Sequence, residues 1–437
     1  MASGRWGRLG FALIVSIVPA IAVAQAAAPA RPVPALLGNL SLNAARALMT
    51  DGNRTIRVAR RVLDVAASEI RRADVAPNPT LTASVSNTLA GHYHPADSDR
   101  ILRLEQTFER GDKRPLRVAT AKAGRVAAAF ELAEVTRIQR ISLAQAYFDL
   151  VGAQRGEAIA RENAAAYDRL VDAAERRRRA GDLAEVDVAR LRVEGSRAAN
   201  DARAAAAALQ QAQVALAAVL GVEEHAAAIR AADDFPALDA NDPARSQPRL
   251  PTRAESIAEA LERRADVAAA RARVEALARA VELAASQRTR DVTLGVQAER
   301  APSYGGNVFG LSATIPLFVN NDYSGDVARA QADLEQANDE LARVRGIVRA
   351  DVARASVQLE DALDRGLRLA RVALPQAQRA ANAIEFAFTR GAATLTDLFD
   401  ARRQLAAVRM DAVSAHADFA KALAAWTEAL ALEEPAP

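Results

Sequence analysis

The chain has 437 residues, 51% hydrophobic but only 4% aromatic, so burial rests on Ala, Val and Leu and suits closely packed helices. Charged residues make up 25% with both signs interleaved, and the formal charge of +3 falls near +1 without Arg5 and Arg8, which excludes the one-sided charge of a nucleic-acid binder. No cysteine is present, which excludes disulfides, a thiolate metal site, a cysteine nucleophile and a lipidated N-terminal cysteine.

Residues 1–24 read as a signal peptide. Arg5 and Arg8 give a basic start, an apolar run extends from Leu9 to Ala24, and small-x-small cleavage sites follow. The run is interrupted by Pro19 and is short of the about 20 apolar residues of a spanning helix. No other stretch is apolar enough to span as a helix, so any membrane insertion must use strands. Residues 25–40 are an Ala/Pro-rich leader.

From Ser41 the chain reads as a helix to Ala76, stopped by Pro77-Asn78-Pro79. Leu81, Ala83 and Val85 then alternate with polar residues. After a loop containing His92 and His94, Leu102, Leu104 and Phe108 alternate with Arg103, Glu105 and Thr107. This predicts a β-hairpin over 80–108. A helix follows from Lys113 to Ala180, then a turn at Gly181 and a return helix over 185–220. Residues 222–252 carry Pro236, Pro243, Pro248 and Pro251 and read as an irregular connector.

The same order then recurs. A helix from 253 leads to a hairpin over 291–318, where Val292, Leu294, Val296 and Ala298 alternate with Asp291, Thr293, Gly295, Gln297 and Glu299, and Phe309, Leu311, Ala313, Ile315 and Leu317 alternate with Val308, Gly310, Ser312 and Thr314. A second long helix runs from Ser324 to Arg390, with a kink or break expected at Pro375. A turn at Gly391 and a return helix to 431 precede a short tail, 432–437. Gly181 and Gly391 lie 210 residues apart, as do Asp187 and Asp397, and Phe108 and Phe318. The chain therefore divides into two repeats, 41–221 and 253–431.

Each strand has the length a tilted strand needs to cross a bilayer, with one apolar and one small or polar face. Four strands cannot close a barrel, and lipid does not tolerate open edges. If these strands span a membrane, several chains must pool them; three would supply twelve. The helices, nearly 70 residues each, would extend roughly 100 Å. A soluble periplasmic coiled-coil scaffold is the alternative, and it leaves the hairpins unexplained.

Specific segments carry a resemblance. They are Leu104-Glu105-Gln106-Thr107-Phe108-Glu109-Arg110-Gly111-Asp112-Lys113-Arg114, its counterpart Ile315-Pro316-Leu317-Phe318-Val319-Asn320-Asn321-Asp322, and Arg390-Gly391-Ala392-Ala393-Thr394-Leu395-Thr396-Asp397-Leu398-Phe399-Asp400-Ala401. With the repeat, they resemble the outer-membrane efflux proteins, the TolC-like family, over 41–431. The Gln-x-Phe…Gly-x-Lys-Arg and Pro-Leu-Phe-x-Asn-Asn patterns look most like the CzcC-like branch, associated with heavy-metal export; Asp112 and Tyr323-Ser324 depart from that branch's pattern.

The resemblance implies an α+β membrane protein. Its homotrimer would share a 12-stranded outer-membrane β-barrel and a periplasmic α-helical barrel. The implied partners are a periplasmic adaptor and an inner-membrane resistance–nodulation–division pump. A type I protein-secretion duct uses the same fold and remains open.

Asp397 and Asp400 share a helix face and resemble the acidic ring at the periplasmic entrance of such channels. Asp397 also fits a plain N-terminal cap with Thr394. Arg178, Gly181, Arg390 and Gly391 mark two tips where an adaptor would dock; cations at helix C-termini are favoured in any case. His92 and His94 are the weak candidates for a metal, with Asp97 and Asp99 nearby. No phosphate loop, nucleophile motif or cofactor signature is visible, so the chain does not read as an enzyme.

Overall fold

The computed structural model describes residues 34–87, 98–181, 183–238, 252–301 and 305–431. The signal peptide, most of the leader, the loop with His92, His94 and Asp97, the second half of the connector and the tail lie outside them. No helix among the described residues is long and apolar enough to cross a membrane.

A short helix α1 (Pro34–Leu37) precedes α2 (Leu42–Gly52), which Ser41 caps through its hydroxyl, 3.2 Å from the Ala44 amide. The single helix expected over 41–76 is broken at Asn53, and α3 (Arg54–Ala73) starts there. Asn53 is extended and 3% exposed, and its side chain accounts for the break. Its Oδ1 accepts from the Ile56 amide at 3.0 Å. Its Nδ2 donates to Gln139 Oε1 at 2.9 Å and to the Val219 carbonyl at 2.8 Å. The second half breaks likewise at Arg264, between α6 (Arg253–Arg263) and α7 (Ala265–Ser286). Arg264 is 1% exposed and pairs with Asp266 at 2.6 Å and Asp351 at 3.5 Å.

Four strands, β1 (Thr80–Asn87), β2 (Ser98–Phe108), β3 (Val292–Ala301) and β4 (Gly306–Thr314), form one antiparallel sheet in sequence order. Ile315 and Leu317, expected in the last strand, lie beyond it. Pro316 has no amide to donate, so the ladder stops at Thr314.

Two long antiparallel pairs make the helical body. In the first, α4 (Lys113–Arg179, 67 residues) turns into α5 (Glu185–Leu220). In the second, α8 (Ser324–Arg368) passes through a π turn, Leu369–Ala373, into α9 (Leu374–Thr389), and α10 (Leu395–Ala429) returns. The π turn sits immediately before Pro375. A proline cannot donate to the preceding turn and crowds its carbonyl, and widening that turn absorbs both without ending the helix. α4 packs on α3, α5, α7 and α10, and α8 packs on α6, α7 and α10. Small residues permit these close approaches: Ala144, Ala166, Ala198, Ala217, Ala362, Ala417 and Ala420 are all buried.

The described part of the connector is built rather than loose. Glu223–Ala228 forms a 3₁₀ helix, and Ala231 bridges Leu40. Ile229 is fully buried, and its carbonyl accepts from Gln213 Nε2 at 3.0 Å. Gln154 holds Ala231 through both carbonyl and amide. The Tyr147 hydroxyl donates to the Leu40 carbonyl at 2.9 Å and accepts from the Asp233 amide at 3.1 Å. Burial pushes its pKa up to about 12, so it stays a donor at any physiological pH. Gly366 leaves room for Leu238, whose Cδ1 would lie 2.7 Å from a Cβ there. The prolines suggested an irregular segment, but apolar Ile229, Phe235 and Leu238 anchor it at mid-height on the helices.

Candidate functional site

The sheet has two chemically distinct faces, fixed by register. One row reads Leu81, Leu104, Val296, Leu311; the next reads Ala83, Leu102, Ala298, Phe309. This apolar face is uncovered, with Phe309 80% and Leu311 89% exposed. The opposite face carries Thr80, Glu105, Gly295 and Ser312 in one row and Thr82, Arg103, Gln297 and Gly310 in another. Arg103 Nη2 donates to Gln297 Oε1 at 2.9 Å, and Thr107 and Thr293 share a hydrogen bond of 2.9 Å. β1 and β4 each pair on one side only. The sheet thus has an apolar face with no core against it, a polar face behind it and two edges that pair on one side only.

A knot of polar contacts joins sheet to helices. Lys113, 5% exposed, donates to Asp291 at 2.7 Å, and Asp291 also accepts from the Arg110 amide at 3.0 Å. Arg117 pairs with Glu109, and its hydrogen bonds to that carboxylate raise its pKa. Phe318 stacks edge-on against Tyr323, with Arg290 5.4 Å above its ring. Asp112 and Tyr323 both adopt left-handed backbone at the starts of α4 and α8. The sequence names Lys113 within a motif but gives it no role; its partner Asp291 stands one residue ahead of β3.

At the far end, α4 and α9 close on Gly181 (φ +86°) and Gly391 (φ +75°), and a Cβ at either glycine would meet open space. Arg178 and Gly181 therefore stand at one tip, Arg390 and Gly391 at the other. Arg390 folds 4.0 Å above the ring of Phe386.

Asp397 and Asp400 both lie exposed in the first two turns of α10. Asp397 completes a capping box, accepting from the Thr394 amide at 2.9 Å and the Thr394 hydroxyl at 2.6 Å. Those bonds, the hydroxyl first, hold its carboxyl below the usual range, so it remains an anion. Asp400 pairs with Arg403.

Behind them, links that the sequence did not reveal tie the second pair of helices to the first. Tyr167 of α4 packs against Phe399, ring centroids 6.1 Å apart. Arg409 reaches Glu162 of α4 at 3.3 Å, while Arg402 reaches Glu385 at 2.7 Å within the second pair. Partners 247 residues apart, such as Glu162 and Arg409, leave no local signal. No group of three or more metal-ligating side chains occurs among the described residues.

Comparison with known proteins fits this geometry. The sequence model of the family described as outer membrane efflux protein matches residues 46–222 and again 256–432. The chain belongs to that family. A curated relative, the cobalt-zinc-cadmium resistance protein CzcC of Cupriavidus metallidurans, is 30% identical over 336 residues, 76% of each chain.

Solved channels share the fold. CusC superposes with a TM-score of 0.73 at 17% identity, covering 89% of this chain and 91% of CusC. VceC of Vibrio cholerae superposes at 0.71 and 20% identity, covering 89% and 95%. As a member of the outer membrane efflux family, the protein resides in the outer membrane, has the TolC-like channel fold and extends a helical tunnel into the periplasm.

Proposed function

We propose that three copies of this chain close one twelve-stranded barrel and one helical tunnel, forming the exit channel of a tripartite efflux system. The observation that carries this reading is the sheet: an uncovered apolar face and two unpaired edges that only further chains can satisfy. Two repeats, 41–221 and 253–431, would each place one hairpin in the barrel and one helix pair in the tunnel, behind a cleaved 1–24 segment. The channel is passive, and an inner-membrane pump working through a periplasmic adaptor drives transport. Heavy-metal cations are the proposed cargo, on the likeness to the cobalt-zinc-cadmium resistance protein.

A deletion strain grown on cobalt, zinc, cadmium, nickel and copper salts beside a drug panel tests this. Several-fold sensitivity to metals alone, restored by the gene, is expected. Sensitivity confined to drugs or detergents would overturn the metal assignment and leave the channel standing.

Asp397 and Asp400 are proposed to line the periplasmic entrance, where three copies would set six carboxylates around one constriction and favour cations. The capping bonds of Asp397 are compatible with this, since a capped carboxylate keeps its charge. In planar bilayers, Asp397→Ala with Asp400→Ala is expected to move the reversal potential in a salt gradient toward zero and to raise conductance. Single-channel behaviour identical to wild type would remove both residues from the pore.

A further inference from the structure

The apolar face of the sheet runs into arginine at both ends. In the β2–β3 register Arg100 stands opposite Arg300, and Leu102, Leu104, Gln106 and Phe108 follow on the same face, opposite Ala298, Val296, Leu294 and Val292. Two residues beyond Phe108 comes Arg110, and two before Val292 comes Arg290. On these strands no charged residue occupies the face between the two arginine pairs, and Gln106 donates to the carbonyls of Pro77 and Thr107. Arg110 follows Arg100 by ten residues, about 33 Å along a strand at about 3.3 Å per residue. A tilt of about 40° turns that length into about 25 Å of height, the apolar band of a membrane barrel.

The pair beside the helical body lacks a counter-charge. Its cationic neighbours have partners: Lys113 pairs with Asp291, Arg114 with Asp74, Arg117 with Glu109, and Arg288 donates to the Asp322 carbonyl at 3.2 Å. Arg110 and Arg290 are exposed, and among the described residues neither side chain is ion-paired or hydrogen-bonded. The carboxylates nearest in sequence do not serve them. Asp291 is held by Lys113 and the Arg110 amide, and Asp322 accepts from Ser324. Asp112, exposed at the start of α4 beyond left-handed Gly111, pairs with neither. Like charges on adjacent strands repel, so this end of the face is incomplete without an anion. Arg290 is positioned for one. Its guanidinium lies 5.4 Å above the Phe318 ring, and stacking occupies the flat face while leaving the N–H edge to donate. On either side of Phe318, Leu317 and Val319 are 74% and 81% exposed.

We propose that Arg110 and Arg290 hold the phosphate of an anionic phospholipid in the periplasmic leaflet, with Leu317 and Val319 at the boundary between headgroup and acyl chain. A lipid fits better than free phosphate, which would leave that leucine and valine in water. This rests on the channel reading, which sets the sheet in the membrane with its helix-side end at the periplasmic leaflet.

The test uses the full-length protein, purified as its oligomer in mild detergent. Phosphatidylglycerol and phosphatidylcholine are added in equal amounts, and bound lipid is counted by native mass spectrometry. Wild type is expected to retain phosphatidylglycerol over phosphatidylcholine by about tenfold, the scale of charge-assisted hydrogen bonds. Arg110→Gln with Arg290→Gln should abolish the preference, while Arg114→Gln, at a cation already paired with Asp74, should keep it. Heat-modifiable gel mobility confirms that the variants fold. Equal retention of the two lipids by wild type, or a preference unchanged in the double variant, would overturn the proposal. So would full displacement of the lipid by inorganic phosphate, which would mark a free-anion site. Bilayer conductance judges the channel separately. A conducting oligomer without lipid preference would sink the phosphate site and leave the channel standing; a chain that never forms such an oligomer would sink both.

Discussion

Val296→Arg is expected to remove the protein from the outer membrane, whereas Ser312→Lys leaves it there. Val296 lies in the middle of the apolar face, between Leu104 and Leu311 in one row. Facing hydrocarbon near the midplane, an arginine costs about 2–4 kcal/mol in each chain, and a symmetric barrel incurs it once per copy. Ser312 belongs to the opposite face, in the row with Glu105 and Gly295, where water hydrates a lysine. Gradient-separated membranes and heat-modifiable gel mobility provide the readout. Wild-type levels of folded Val296→Arg would mean that this face does not meet lipid.

Gly221→Ala should lower thermal stability far more than Gly181→Ala. Both glycines have left-handed backbone, φ +73° and +86°, which costs an L-residue roughly 1–2 kcal/mol. Their surroundings differ. A Cβ at Gly181 meets open space, while one at Gly221 would lie 2.4 Å from the carbonyl oxygen of Gly52. The approach is mutual, since a Cβ at Gly52 would lie 2.3 Å from the Leu220 carbonyl oxygen.

The ends of α2 and α5 thus touch backbone to backbone, beside the hydrogen bond from Asn53 to the Val219 carbonyl. Ala431, at the end of α10, carries φ +50° with its methyl in place, so the backbone conformation alone is tolerable. We expect a loss of about 3 kcal/mol or more for Gly221→Ala and about 1–2 for Gly181→Ala. Both are measured as melting of the far-ultraviolet helical signal in detergent. Equal losses would mean that the Gly52 contact yields.

Much of this architecture was legible because its signals are periodic or local. The alternation through Val292, Leu294, Val296 and Ala298 lies in β3, and Pro375 announced an interruption that the π turn supplies. What escaped was fixed by distant partners or by single side chains. Asp51-Gly52-Asn53 is a local turn signal that the single-helix reading passed over, but nothing around Asn53 shows that its amide will find Gln139 and Val219. The prolines of the connector concealed Ile229, whose burial depends on α1, α2 and α5 already being in place. At the candidate entrance, Thr394 and Asp397 spell a capping box locally, but Arg409 meeting Glu162 across the molecule is a property of packing.

The uncovered sheet also constrains how the protein comes into being. A lone chain in water displays a greasy surface bordered by two hydrogen-bonding margins, β1 and β4, each able to seize any extended strand nearby. The helical body has its own buried cores and can consolidate first. On the proposed trimeric reading, the sheet gains nothing until its neighbours arrive and lipid replaces water. On that reading its maturation is a collision-limited, concentration-dependent event coupled to insertion. A cell that makes the chain faster than copies can meet accumulates the species most prone to aggregate.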